Sequence, residues 1–149
     1  MNRFGLLGKN ISYSFSQGYF TQKFKDLGLT NHSYENFDIQ NIGELKNVLA
    51  QDNLKGLNVT IPYKQDVIPY LDKLDAKAEK IGAVNTIQFT KNGLKGFNTD
   101  AYGFQKSLEP FLKPHHRNAL ILGTGGASKA VRFVLDELGI ANTYVSRGK

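Results

Sequence analysis

The sequence predicts an α/β protein built on a mostly parallel sheet. Two observations carry that prediction. Residues 3–61 alternate short apolar runs with helical spacing, in the order β-α-β-α-β. Residues 118–149 then restart the alternation with a strand, a glycine-rich turn, a helix and a strand. A hydrophobic content of 40% across 149 residues leaves enough apolar surface to bury such a core.

The elements follow in order. Arg3–Gly8 (RFGLLG) reads as a short strand, and KNISYSFSQ after it as a polar loop. Phe20, Phe24 and Leu27 recur at helical spacing, so a helix is expected over Gln17–Leu27, stopped by Gly28. HSYENFDI is the second strand. Asn41 followed by Glu44 resembles a capping pair, and Ile42, Leu45, Val48 and Leu49 give that helix its buried face. In the third strand, Leu54–Ile61, apolar Leu57, Val59 and Ile61 alternate with Asn58 and Thr60 until Pro62 ends the run. Two short helices are expected over residues 63–71 and 76–81. AVNTIQFTKNGLKGFNTD reads as a hairpin turning at KNG, with Thr99 or Asp100 capping a helix to about Leu108. Helices on both faces of the sheet make this a three-layer domain over residues 1–108.

Residues 109–117 contain Pro110 and Pro114 and read as a linker. Ala119–Leu122 is then an apolar strand, and Ala127, Ala130, Val131, Val134, Leu135 and Leu138 line one helix face ended by Gly139. Thr143–Ser146 is a further strand. This is the first βαβ unit of a Rossmann-type domain, residues 118–149. A doubly wound sheet uses more strands than these, so the chain is expected to be a fragment of a longer enzyme.

Composition narrows the function. The chain has no cysteine, which removes disulfides, thiol nucleophiles and thiolate metal sites and fits a reducing compartment. The net charge is +6, but the lysines are scattered and no long basic run occurs. That pattern favours an anionic small molecule over nucleic acid. No apolar stretch approaches membrane-spanning length and the N-terminus lacks a signal peptide's apolar region, so a cytoplasmic protein is expected. His32, His115 and His116 stand without a metal-binding motif, so no metal is expected.

Several constellations carry chemistry. GTGGAS follows a strand and opens a helix, the context of a dinucleotide site. Gly123 permits a tight turn, Gly125 and Gly126 let backbone approach a pyrophosphate, and the helix N-terminus offers N–H donors. Ser128 replaces the last glycine of the fingerprint. The next strand ends in Ser146 and Arg147, and a guanidinium there suits the 2′-phosphate of NADP. In the first half, SYSFS sets Ser14 and Ser16 two apart, so that in an extended segment both hydroxyls point one way. NVTIPYK brings Thr60 and Lys64, GAVNT brings Asn85 and Thr86, and GFNTDAYG brings Asn98, Thr99 and Asp100. Each alone reads as a turn former or cap. Together they are the groups that would hold a small polyhydroxylated acid. Oxidising an alcohol by hydride loss also requires a proton acceptor, a role a lysine fills when its surroundings lower its pKa. Lys64 and Asp100 form the candidate pair.

These five motifs, in this order and spacing, resemble the shikimate dehydrogenase family over nearly the whole chain. The resemblance implies an NADP-linked interconversion of shikimate and 3-dehydroshikimate, with a substrate domain, a Rossmann domain and the active site between them. It implies that Ser14 and Ser16 bind the substrate carboxylate, and that Thr60, Asn85 and Asp100 hold the ring hydroxyls. Lys64 would be the general acid/base with Asp100 as its partner. Gly123, Thr124, Gly125, Gly126 and Ala127 would hold the cofactor pyrophosphate, with Ser146 and Arg147 at the 2′-phosphate. The expected state is monomer or homodimer. The chain departs from the family pattern where Tyr13 and Gln17 replace a histidine and a proline flanking the serines, and where Ser146-Arg147-Gly148 replaces Asn-Arg-Ser/Thr. The family's later helix, which returns a glutamine to the substrate site, has no counterpart here. Competing expectations are a quinate/shikimate dehydrogenase using NAD, against which Arg147 argues, and a non-catalytic shikimate-binding module.

Overall fold

The computed structural model describes residues 1–147. Gly148 and Lys149, with which the second predicted domain ends, lie outside the described residues. Strand β1 spans Asn2–Gly8, helix α1 Phe15–Asp26, β2 His32–Asp38, α2 Leu45–Leu49 and β3 Leu54–Val59. Then follow β4 (Lys73–Leu74), α3 (Ala76–Ile81), β5 (Thr86–Thr90), β6 (Gly93–Phe97) and α4 (Asp100–Leu108). The second unit comprises β7 (Asn118–Leu122), α5 (Gly126–Glu137) and β8 (Ala141–Val145).

The first sheet has six strands in the order β2-β1-β3-β5-β6-β4. β1 runs parallel to β2 and β3, while the hairpin β5–β6 joins antiparallel through β3. Side chains of β1 alternate between faces. Phe4 and Leu6 pack with Phe20 and Phe24 of α1, and Leu7 joins Phe37, Leu57, Val59 and Ile87 in the core on the opposite face. That opposite core takes Leu45 and Val48 from α2 and Ala78 from α3, so the sheet lies between two helical layers as expected. β7 and β8 pair in parallel as a separate two-stranded sheet. The helix α5 covers one face of it through Leu135, against Ile121 and Ile140.

Four expectations are corrected. The helix α1 starts at Phe15, not Gln17, because Ser14 caps it: its Oγ accepts the Ser16 N–H at 3.2 Å. The SYSFS segment is therefore a helix start and not an extended stretch. The third strand ends at Val59 and not Ile61: the Thr60 N–H and the Ile61 carbonyl still bond to Leu7 and Lys9, but the chain then turns, the Tyr63 N–H donating to the Thr60 carbonyl at 3.0 Å. Residues 63–71 are turns closing in a 3-10 helix, Ile68–Tyr70, in place of an α-helix. Pro69 has no N–H to offer the carbonyl of Gln65, which accepts from Ile68 instead. A short strand, β4, was not anticipated; it pairs parallel with β6 through Lys73 and Leu74.

The two units are not joined by residues 109–117 alone. Ile81, Ala83 and Ala101 of the first unit form one buried cluster with Ala130 and Val134 of α5. Phe104 and Leu108 of α4 pack against the core of the second unit. This apolar contact fixes the glycine-rich turn against the carboxyl ends of the first sheet's strands.

Candidate active site

Lys64 lies five residues beyond the end of β3, and Asp100 is the first residue of α4. Lys64 Nζ donates to Asp100 Oδ2 at 2.6 Å, an ion pair with the lysine side chain only 14% exposed. The other carboxylate oxygen, Oδ1, accepts from Asn85 Nδ2 at 2.8 Å. Asn85 is itself buried, and its Nδ2 also donates to Thr99 Oγ1 at 2.8 Å, while its Oδ1 accepts the Thr99 N–H at 2.9 Å. The amide is thus fully employed, and it holds the carboxylate in one orientation. The Lys64 backbone is fixed as well, its carbonyl accepting the Val84 N–H at 2.7 Å.

From Asn85 the hydrogen bonds continue away from the lysine. Thr86 Oγ1 donates to Asn85 Oδ1 at 3.1 Å and accepts from Asn58 Nδ2 at 3.4 Å. Asn58 Oδ1 accepts from the Tyr34 hydroxyl at 2.8 Å. Burial pushes the Tyr34 phenol well above its ordinary pKa, and the Ser16 hydroxyl beside it offsets part of that rise. Tyr34 therefore stays a donor. The hydrogen-bonded chain Tyr34–Asn58–Thr86–Asn85–Asp100–Lys64 brings together residues from β2, β3, β5 and α4.

Sequence reasoning overlooked Tyr34, gave Asn58 no role and counted Thr86 only among the polar groups for a polyhydroxylated acid. Their signal lay in register: Asn58 and Thr86 are direct cross-strand partners in β3–β5, an arrangement visible only once the strands are paired. Thr60, half-buried, stands just past β3 with its methyl group against Gly8. Asn98 differs from the rest. It is buried, donating to the Ala83 carbonyl at 3.0 Å and accepting the Ala101 N–H at 3.2 Å, so it fastens the start of α4 and faces no site. A separate cavity of about 440 Å³ lies between α1 and the sheet, walled by Phe4, Phe20, Phe24 and Phe97 and touching Tyr34, Asn58 and Thr86 at its polar side. Its mainly aromatic wall is the wrong chemistry for a polyhydroxylated anion.

The glycine turn fits a pyrophosphate. Gly123 has φ +104°, a conformation that side chains rarely adopt. Its N–H donates to the Val145 carbonyl at 2.8 Å, so the end of β8 is tied to the turn and exposed Ser146 and Arg147 emerge beside it. Thr124 and Ala127 are exposed. Gly125 caps α5 without any side-chain hydrogen bond to the helix, and open space surrounds the place a Cβ would take. The first N–H groups of α5 are thus left for an anion. The turn also meets the lysine: a Cβ on Gly126 would fall 2.7 Å from Lys64 Cβ.

Residues 6–87 match the family model of the shikimate dehydrogenase substrate binding domain. The NADP(+) shikimate dehydrogenase of Clostridium beijerinckii is 43% identical over 148 residues, covering 97% of this chain and 54% of that relative. The Methanosphaera stadtmanae enzyme of the same name is 43% identical over 134 residues, covering 88% of this chain and 47% of the relative. Among solved structures, shikimate dehydrogenase 1 from Peptoclostridium difficile superposes with a TM-score of 0.90 at 37% identity, over 100% of this chain and 56% of that one. The Thermus thermophilus enzyme, solved with NADP(H) and shikimate, gives 0.83 at 36% identity, over 99% and 56%. The chain spans about half the length of the relatives it matches. By its matched domain and its fold, the chain belongs to the shikimate dehydrogenase family.

Proposed function

We propose that this chain supplies the substrate domain (residues 1–108) and the opening of the cofactor domain (residues 118–149, after a linker of 109–117) of an NADP-linked shikimate dehydrogenase. The single observation carrying this reading is the Lys64–Asp100 pair at 2.6 Å, braced by Asn85 and in contact with the glycine turn. Bound NADP would take the hydride from the alcohol carbon of shikimate, or return it to 3-dehydroshikimate.

The residues of the chain handle everything else. Lys64 Nζ, as the neutral amine, accepts the hydroxyl proton during oxidation and, as the ammonium paired with Asp100, gives it back during reduction. Asp100 holds the amine toward the substrate and, with Thr60, receives the ring hydroxyls, while Asn85, its amide spent on Asp100, Thr99 and Thr86, orients the carboxylate for them. Ser14 spends its oxygen lone pair on the α1 cap, which leaves its O–H to donate to the substrate carboxylate. Ser16, in the first turn of the same helix, joins it there. The first turn of α1 has no acidic residue, so its N-terminal partial charge favours the same carboxylate. Gly123, Thr124, Gly125 and Ala127 surround the pyrophosphate site, and Ser146 and Arg147 take the 2′-phosphate. The absence of cysteine fits a cytoplasmic enzyme, and we place it there as a monomer or homodimer.

Calorimetry with shikimate tests substrate recognition directly. Following NADPH absorbance in the native polypeptide that carries these residues tests the reaction, with quinate and NAD as comparison substrates. Shikimate binding and faster turnover with NADP than with NAD are expected. A folded protein that ignores shikimate overturns the proposal.

A further inference from the structure

The three glycines of the turn have three different surroundings. Gly123 needs its backbone freedom, at φ +104°. Gly125 is extended, at φ −77° and ψ −177°, and nothing lies near the place of its missing Cβ. Gly126 is neither strained nor open. It is the first residue of α5, where alanine has the better helix propensity. What excludes a side chain there is Lys64. A Cβ on Gly126 would lie 2.7 Å from Lys64 Cβ, 3.4 Å from Lys64 Cδ and 3.6 Å from Ala83 Cβ. Cβ–Cβ contacts that short do not occur in folded proteins, and Lys64 Cβ sits on a backbone pinned by Val84. Ala83 and Val84 are both fully buried, so the wall behind the lysine has no room to retreat.

We propose that Gly126 is a positioning residue for Lys64: its missing side chain lets the cofactor turn press directly on the lysine stem, keeping Nζ on Asp100 and setting the spacing between the pyrophosphate cradle and the proton-transfer group. This rests on the reading of Lys64 as the general acid/base. It gives Gly126 a role toward the lysine in place of the cofactor approach that its motif suggests. A methyl group at 126 must either lift α5 away from the first unit or drag Lys64 off Asp100. Both separate hydride transfer from proton transfer without touching a cofactor contact.

The test is Gly126→Ala in the native polypeptide. Steady-state kinetics should show kcat reduced about tenfold or more, with KM for NADP held within about threefold. Acetylation of Lys64, read by peptide mass spectrometry without cofactor, should quicken several-fold relative to exposed Lys91. A stability cycle isolates the contact: Gly126→Ala should lower Tm, and should no longer do so in the Lys64→Gly background, where the colliding Cβ is gone. That background also rescues the experiment if Gly126→Ala alone fails to fold. A raised KM for NADP with kcat retained would return Gly126 to the pyrophosphate and overturn the proposal. An equal fall in Tm in both backgrounds would do so too. If the unaltered protein turns over neither shikimate nor its ketone, the underlying reading fails and this inference with it.

Discussion

Asp100 divides its two oxygens between a cation and an amide, and that division makes the pair usable. A carboxylate free to rotate would follow the lysine; held by Asn85, it makes the lysine follow it. Lys64→Ala should therefore lower kcat by at least ~10² with a much smaller change in shikimate affinity, the pattern of a lost acid/base group. Asp100→Asn should cost rate and some affinity together, since Asp100 touches both amine and substrate in the proposed complex. Steady-state kinetics beside calorimetry separates the two effects, and near-normal kcat in Lys64→Ala would remove the lysine from the mechanism. Arg147 makes a simpler case. Exposed beside the turn, it should favour NADP over NAD by about 1.5–3 kcal/mol, the range of a hydrogen bond to a charged group. Arg147→Ala should shrink that preference by weakening NADP binding; equal use of both cofactors before the change would refute the assignment. The Lys64–Asp100 pair was legible in the sequence because both residues follow recognisable strand ends. Tyr34 was not, because its role depends on β2 and β3 flanking β1, which brings its hydroxyl to Asn58.

Between elements, the parallel β1–β2 pair is pinned by Arg3 and Glu35. Arg3 Nε and Nη2 donate to the two Glu35 oxygens, each at 2.8 Å, and Nη2 also reaches Gln51 Oε1 at 2.8 Å. The hydrogen bonds from Arg3 hold the Glu35 carboxyl below its usual pKa, against a smaller opposing effect of burial. A carboxyl depressed in the folded state contributes stability that is whole above its unfolded pKa and vanishes as pH falls through the folded one. Thermal melts should thus show wild type and Glu35→Gln converging at acid pH below about 4 and diverging toward neutrality. A constant gap across that range would mean that the pair adds nothing. Element types were largely readable from periodicity, since apolar spacing reports burial directly. Their ends were not. Ser14 could be read as a loop serine or a cap, and only the helix behind it decides. Residues 63–71 carry helical-looking apolar spacing, yet Pro69 withholds the hydrogen bond that would continue the turn. The two residues of β4 lie below the length at which any pattern shows.

At the scale of the molecule, the candidate active site depends on a contact that no motif announces. Ala101 and Ala130, 2% and 1% exposed, lie in the cluster where α4 and α5 pack, with Ile81, Ala83 and Val134 around them. Small residues there let the helices approach closely, and α4 begins with Asp100 while α5 begins with Gly126. Helix packing therefore sets the distance between the Lys64–Asp100 pair and the glycine turn. The sequence shows an apolar face on α5, but not that part of this face belongs to the other unit, because periodicity identifies a buried side without naming its partner. Ala130→Leu tests the dependence. The larger side chain has no space in the cluster and should cost about 1–3 kcal/mol through forced displacement. The displaced element should be α5 and not α4, which is anchored at its start by Asn98. Shikimate affinity should then survive, because Ser14, Ser16, Thr60, Asn85 and Asp100 all lie in the first unit, while kcat falls. Denaturant unfolding, calorimetry and kinetics on the same variant give the three values. Loss of shikimate binding in step with kcat would show instead that the substrate residues themselves lean on α5.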